Sequence, residues 1–345
     1  MLCNGDEHCL LRFTVKKYDE NKGHHLSYGF CTTTLDILSK NLEYKMELHD
    51  LKGHPIKNSF IHFKDTSITE RPSFAEYLKG GWKINMSVAI DYTASNGDPS
   101  CSSSLHYISE KTETGFRQEN QYEQAMTSVG NILETYAYKK RFSCYGFGGI
   151  PKFAGSNSVS HCFFLGRDPN SGQLCPEIDG LENMLKAYRH SLKGVKLYGP
   201  TFFKPVLQKI IQDISSRAKV LNVYHVILML TDGCIHDMRE TIDLIVEASE
   251  LPLSIIIIGI GNADFKNMEI LDADDFELTD SNKQKAKRDI VQFVKYNEFA
   301  HDIGILAENV LCEVPQQFVN YMIDNGKKPN VNEPEPHDNK KHHNN

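Results

Sequence analysis

Three oxygen-bearing side chains, Asp91, Thr93 and Ser95, stand at alternate positions directly after the mainly apolar run 86–90 in MSVAIDYTASNGDP. An apolar segment that stops abruptly at an acid and two hydroxyls reads as a buried strand delivering oxygen ligands to its carboxyl end. A second apolar run, YHVILML at 224–230, ends in Thr231-Asp232-Gly233, and Thr201 stands in Tyr198-Gly199-Pro200-Thr201 just before a helical pattern. Two carboxylates, Asp91 and Asp232, with the hydroxyls of Thr93, Ser95 and Thr201 form an all-oxygen set. Such a set suits a hard cation, and Mg²⁺ prefers near-octahedral oxygen coordination. With so few charged ligands the ion keeps waters or an open position, which a carboxylate from another molecule can fill.

These residues need a scaffold, and the pattern from Trp82 onward supplies one. Strand-like 82–90 is followed by a helix expected over about 118–138, where Tyr122, Ala125, Met126, Val129, Ile132, Leu133 and Tyr136 fall at helical spacing. Then come a strand at 141–147, a glycine turn at 146–149, a short strand at 160–165, and helices at about 178–191 and 202–216. The strand 224–230, a helix at 237–250, the strand 254–259, an acidic loop at 272–280, a strand at 289–294 and one helix over 304–323 complete the series. Continuous apolar strands alternating with helices indicate an α/β fold, a doubly wound and mainly parallel sheet covered on both faces. Ligands of such sheets bind beyond the carboxyl ends of the strands. Ahead of this, residues 10–63 read as short strands and turns, too few for an independent sandwich. The expected organisation is a partial β domain at 1–63, a linker at 64–81, the α/β domain at 82–325 and a polar, disordered tail at 326–345.

Composition narrows the function. The 345 residues carry a formal net charge of -7, which argues against a nucleic-acid partner because such proteins present a clustered basic face. The nine cysteines are scattered, with no Cys-x-x-Cys pair, so structural zinc and a disulfide framework are not expected and a reducing cytoplasm is. The start MLCNGDEHCLL is acidic where a signal peptide is basic, and the longest apolar stretch, 251–260, is too short to span a bilayer. Membrane contact is therefore expected to be peripheral.

Several other features have plainer explanations. Gly146-Phe147-Gly148-Gly149 lacks the Lys-Ser/Thr of a phosphate loop and reads as a tight turn. Asp272, Asp274 and Asp275 read as a solvated acidic loop rather than a calcium site. The pairs His24-His25 and His342-His343 have no partner at metal spacing. Asn85-Met86-Ser87 matches a glycosylation acceptor but falls in an expected buried strand.

The segments DYTASNGDP, YGFGGIP, LYGPTFFKPVL, ILMLTDG, LPLSIIIIGIGNADFKNMEILDADD, RDIVQFV and LAENVLCEVPQQFVNYM together resemble the C-terminal domain of the copines, over roughly residues 60–322. That domain is similar to the von Willebrand factor type A fold, whose metal-ion-dependent adhesion site uses Asp-x-Ser-x-Ser, a distant Thr and a distant Asp. The resemblance implies metal-ligand roles for Asp91, Thr93, Ser95, Thr201 and Asp232, with Thr93 in place of a serine but keeping the hydroxyl. Taken alone, Asp-x-Thr-x-Ser after a strand is more often a capping turn. Thr201, Asp232 and the resemblance together favour the metal site.

Residues before Phe60, including GHHLSYGFCTTTLDIL, resemble the end of a copine's second C2 domain, whose loop aspartates bind Ca²⁺ and thereby anionic phospholipid. The resemblance implies that the first C2 domain and the start of the second are missing. Of the loop acids only Asp19 remains. Lys17 and His25 are poor ligands for a hard ion, which argues against Ca²⁺ binding by this C2 remnant.

The expected function is thus non-enzymatic: metal-dependent protein binding through Mg²⁺ or Mn²⁺ to partners that present an acidic residue. The expected location is the cytoplasm, with peripheral contact at the plasma membrane. The alternative is a calcium-dependent phospholipid-binding protein acting through the C2 segment. A phosphatase of the haloacid dehalogenase type is mimicked by Asp91, Thr231 and Asp274-Asp275, but its chemistry wants a second carboxylate at 93, where a Thr stands. A ubiquitin ligase of the plant copine-like group would need RING cysteines, and none follows Cys312.

Overall fold

The computed structural model describes residues 6–19, 24–41, 43–67, 70–110, 115, 117–217, 222–273 and 276–330. The chain divides into two compact units, Met1–Arg71 and Pro72–Asn345.

The first unit is an antiparallel sheet of four strands in sequence order, β1 (Leu10–Asp19), β2 (His24–Thr34), β3 (Glu43–His49) and β4 (Pro55–Lys64). Phe13 lies opposite Cys31 and Met46 opposite Ile61, so alternation gathers the apolar side chains on one face. The Phe13 and Phe63 rings meet edge to face at 4.9 Å. LDIL, expected to continue the strand pattern, instead turns into a short helix, α1 (Leu35–Lys40), because the Thr34 hydroxyl accepts from Ile37 N and caps it. The side chains of Asp19, His24 and His25 lie outside the described residues.

The second unit contains, in chain order, α2 (Phe74–Lys79), β5 (Lys83–Asp91), α3 (Gln121–Leu133), β6 (Ala137–Phe147), β7 (Gly149–Pro151), β8 (Phe163–Phe164), β9 (Gly166–Arg167), β10 (Leu174–Cys175), β11 (Glu177–Asp179), α4 (Leu181–Ser191), β12 (Val195–Leu197), α5 (Lys204–Arg217), β13 (Val223–Thr231), α6 (Met238–Ala248), β14 (Leu253–Gly259), α7 (Lys266–Asp272), β15 (Val291–Lys295), α8 (Tyr296–Phe299), α9 (Ile303–Leu311) and α10 (Val314–Asp324). The main sheet has the order β11-β6-β5-β13-β14-β15. All neighbours from β6 to β15 are parallel, while β11 and β8 pair antiparallel with β6. Alternation along the buried strands splits the core in two. Val88, Ile90, Leu228 and Leu230 pack with Met126, Val129 and Tyr188 of α3 and α4. Ala89, Ile227 and Met229 pack with Leu207, Ile210 and Ile245 of α5 and α6. Burial on both faces is why these strands are mainly apolar rather than alternating.

Local chemistry moved several boundaries. The stretch 64–81, expected as linker, holds α2, which Ser73 and Glu76 close with a capping box. The helix expected to reach 138 stops at Leu133, leaving Ile132 and Tyr136 at 40% and 43% exposure, and Ala137 already belongs to β6. Gly180, at φ +76°, delays α4 to Leu181, and Glu177–Asp179 pair with β6 instead. The helix expected over 304–323 is two helices, because Pro315 in the first turn of α10 has no N–H to continue α9. The acidic loop begins later than expected, after α7. Of its acids, Asp272 ends α7 and accepts from Phe293 N at 2.7 Å, while Asp274 and Asp275 lie outside the described residues.

Gly326–Asn330, expected as the start of the tail, are packed. Tyr77 donates to the Lys327 carbonyl, the Lys327 ammonium sits 5.0 Å from the Trp82 ring centroid, and Asn330 Nδ2 donates to the Gly80 carbonyl. The remainder, 331–345, with His342 and His343, lies outside the described residues. No described helix is long and apolar enough to cross a membrane.

Candidate metal centre

Renumbered within the parallel set, the strand order is 2-1-3-4-5, and the order reverses between β5 and β13. A doubly wound sheet leaves its ligand crevice at this switch point, beyond the carboxyl ends of those two strands. Ile90 lies beside Leu230 in the ladder, so Asp91 and Thr231 end the strands together and Asp232 follows.

Four of the five sequence-predicted side chains meet here. Asp91 is fully buried. One of its oxygens accepts from the Thr93 amide at 2.8 Å and the other from the Thr231 hydroxyl at 2.6 Å. The Thr93 and Ser95 hydroxyls are 3.0 Å apart, and both reach the same Asp232 oxygen, at 3.4 and 3.0 Å. Ser95 is exposed, so the group opens to solvent on that side. The fifth residue, Thr201, is 4% exposed and is held by backbone: its amide donates to His236 Nδ1 at 3.2 Å, and its carbonyl accepts from His236 N at 2.9 Å. Among the described residues its hydroxyl bonds to none of the other four. The next turn is capped from the same loop, with Asp237 accepting from Phe203 N and Lys204 N at the start of α5.

The electrostatics are one-sided. Burial raises the Asp91 carboxyl above the usual range, against the hydrogen bonds from Thr231 and Thr93. Burial, then the neighbouring Asp91 charge, pushes Asp232 up to about 7. No lysine or arginine bonds to either acid among the described residues. Two carboxylates, each hydrogen-bonded by hydroxyls and neither by a protein cation among the described residues, match the donor set of a hard divalent ion.

The glycine run proves to be part of the site. A Cβ at Gly148 would lie 2.4 Å from Thr93 Cγ2, and one at Gly146 would lie 2.3 Å from the Phe163 ring. Gly148 also sits at φ +78°. Gly148→Ala is therefore expected to displace Thr93 and cost roughly 1–3 kcal/mol from backbone strain alone. Thermal unfolding of the variant, with and without Mn²⁺, checks this, and a wild-type response to the ion would contradict it.

Sequence reasoning missed the residues that hold the loop. Asn96 Nδ2 donates to the Thr93 carbonyl at 3.2 Å, and its Oδ1 accepts from Tyr122 at 2.6 Å. The Ser104 hydroxyl sits 2.9 Å from the Asn96 carbonyl. His106 is fully buried and stacked between Tyr92 and Tyr122, at centroid distances of 5.4 and 4.2 Å. Burial lowers its pKa to about 4, so it is neutral. A lone histidine or asparagine in a polar loop carries no periodic signal. Thr231 has one, since it is a hydroxyl at the end of an almost fully apolar strand.

A family model described as Copine matches residues 104–330. Among solved structures, the chain is similar to a manganese-loaded TRAP protein of Plasmodium vivax, at 12% identity and TM-score 0.39 over 69% of this chain and 76% of that one. It is also similar to proximal thread matrix protein 1 from the mussel byssus with a zinc-occupied MIDAS motif, at 13% identity and TM-score 0.36 over 67% of this chain. The match spans 48%, about half, of that protein. With a mainly parallel α/β sheet and a family match over most of its length, the chain belongs to the copine family.

Proposed function

We propose that this protein binds other proteins in a metal-dependent manner. Asp91, Thr93, Ser95, Thr201 and Asp232 would hold Mg²⁺ or Mn²⁺, and a partner's Asp or Glu would complete the shell. The observation that carries this reading is the pair of buried carboxylates at the switch point of the sheet, Asp232 taking the Thr93 and Ser95 hydroxyls and Asp91 the Thr231 hydroxyl and the Thr93 amide, with no lysine or arginine bonded to either among the described residues. The bound ion would supply a positive centre that attracts an anionic oxygen.

The chain's own residues prepare the site. Thr231 and the Thr93 amide orient Asp91 while leaving each of its oxygens a free lone pair. Ser95 faces solvent and gives an incoming group its access. In the phosphatase alternative, position 93 would shuttle a proton. The Thr93 hydroxyl is instead engaged with Ser95 and Asp232, which favours the binding reading.

The test is capture from cytoplasmic extract on immobilised protein in Mg²⁺ or Mn²⁺, in EDTA, and with Asp91→Ala. Partners retained only by wild type with the ion are expected, and an identical retained set in all three arms would refute the proposal. Co-sedimentation with phosphatidylserine vesicles in Ca²⁺ or chelator, run on the same protein, measures any peripheral membrane contact separately.

A further inference from the structure

We propose that His106 is a positioning residue for the metal loop: through an uncharged hydrogen-bond relay that starts at the N-terminus of α3, it fixes the Asp91 peptide and with it the Asp91–Thr93 pair. Its functional consequence rests on the metal reading above, while its structural claim stands on bonds within the protein.

The direction of every bond in the relay is forced. His106 Nε2 lies 2.8 Å from the Asp91 carbonyl, which can only accept, so Nε2 carries the proton. The Tyr188 hydroxyl stands 2.8 Å from Nδ1 and already accepts from Asn120, so its own proton needs Nδ1 as acceptor and the ring carries a single N–H. Tyr188, having donated its proton, accepts from Asn120 Nδ2 at 3.1 Å. The orientation of the Asn120 amide is itself fixed, because its Oδ1 caps α3 by accepting from Glu123 N at 2.9 Å. One reversal anywhere would leave two donors or two acceptors facing each other in a buried space.

The ring has little freedom to relax. It is stacked between Tyr92 and Tyr122, the residue after Asp91 and a residue in the first turn of α3. The backbone carrying it is tied down too, since His106 N donates to the Ser104 hydroxyl at 3.1 Å and Leu105 N to the Asn96 carbonyl at 2.9 Å. The loop after Asp91 thus folds back and clamps its own first peptide from fifteen residues on. Groups that orient a metal ligand from behind are typically worth about 10- to 100-fold in affinity.

Two substitutions separate positioning from bulk. His106→Gln can place an N–H near the former Nε2, whereas His106→Asn reaches only the former Nδ1. Both lose packing, so both should lower the melting temperature. His106→Asn alone is expected to weaken Mn²⁺ binding by at least about tenfold and to speed hydrogen exchange of the Thr93 amide in metal-free protein by a similar factor. His106→Gln should stay within about threefold of wild type in both, estimated from one retained hydrogen bond. Nitrogen-15 spectra of the wild type should place the imidazole proton on Nε2.

A proton on Nδ1, or His106→Asn with wild-type Thr93 exchange and Mn²⁺ affinity, would overturn the proposal. If wild type binds no Mn²⁺, the metal reading falls, and the tautomer and the Thr93 exchange still decide the positioning. Should His106→Asn fail to fold, Tyr188→Phe replaces it: freeing Nδ1 should loosen the ring, and unchanged Thr93 exchange would then overturn the relay.

Discussion

Asp91→Asn is expected to reduce Mn²⁺ affinity at least about a hundredfold while making the metal-free protein more stable at pH 8, two effects of opposite sign from one substitution. The asparagine is isosteric. Its oxygen can keep the Thr93 amide, and its amide nitrogen can donate to Thr231, whose hydroxyl accepts as readily as it donates. What disappears is one of two buried negative charges. Asp232 is raised to about 7 in the fold, first by burial and then by Asp91. A carboxyl raised above its unfolded value of roughly 3.9 costs stability that grows as pH rises through that value and is complete above the folded one. Metal-free wild type should therefore lose stability between about pH 4 and 7, and Asp91→Asn should flatten that loss. At roughly 2–4 °C per kcal/mol for a domain of this size, the difference is readable in a thermal scan. A Mn²⁺-induced shift in the variant equal to that of wild type, or a less stable metal-free variant at pH 8, would sink the assignment.

The parts of this site visible in the sequence were those attached to strands. Asp91 and Asp232 end apolar runs, and buried strands of a parallel sheet announce themselves by length and composition alone. Thr93 and Ser95 were visible because they repeat at two-residue spacing after the strand. Thr201 is placed by a motif and a resemblance, and its tether runs from its own backbone to the ring and the amide of His236, thirty-five residues away, a pairing that no local pattern announces. Gly148 reads as a turn from sequence and is one, but its closeness to Thr93 depends on β6 and β5 lying side by side. The relay from Asn120 to His106 passes through Tyr188 of α4, 68 and 82 residues from the two it joins, so no local pattern reveals it.

The fold errors have the same origin. Periodicity carried the helix at 118 through Tyr136, whereas pairing of Ala137 with Ile84 pulled that stretch into the sheet. Ser73-x-x-Glu76 was a legible helix start inside a segment expected to be a linker, and the residues it caps pack against α10: Phe74 and Tyr77 meet Phe318 at 5.0 and 5.6 Å. Local signals of that kind outrank composition where the two disagree.

Glu123→Ala should be the most destabilising single change near the site, and its effect should fade in acid. The Glu123 side chain is fully buried, and the Arg117 guanidinium grips it at 2.6 and 2.7 Å while Arg189 approaches from α4. It also closes the capping box of α3 by accepting from Asn120 N at 3.0 Å. Removing the acid takes from Arg117, at 15% exposure, its only ion pair among the described residues and leaves Arg189, at 31%, with Glu119 alone at 3.5 Å; losing one partner of such a pair typically costs about 3–5 kcal/mol. Burial alone would raise the Glu123 pKa, but the hydrogen bonds from Arg117, Arg189 and Asn120 outweigh it and hold the carboxyl below the ordinary value. The sign follows. A depressed acid contributes stability that is complete above its unfolded pKa, roughly 4.3, and is lost as pH falls through the folded value. Urea unfolding of wild type and variant should therefore differ most at pH 7 and converge below about pH 4, and a pH-independent difference would assign the cost to packing instead. Because Asn120 also starts the hydrogen-bond relay to His106, the same variant should bind Mn²⁺ more weakly at pH 7, linking the charge network of α3 to the oxygen cluster at the end of β5.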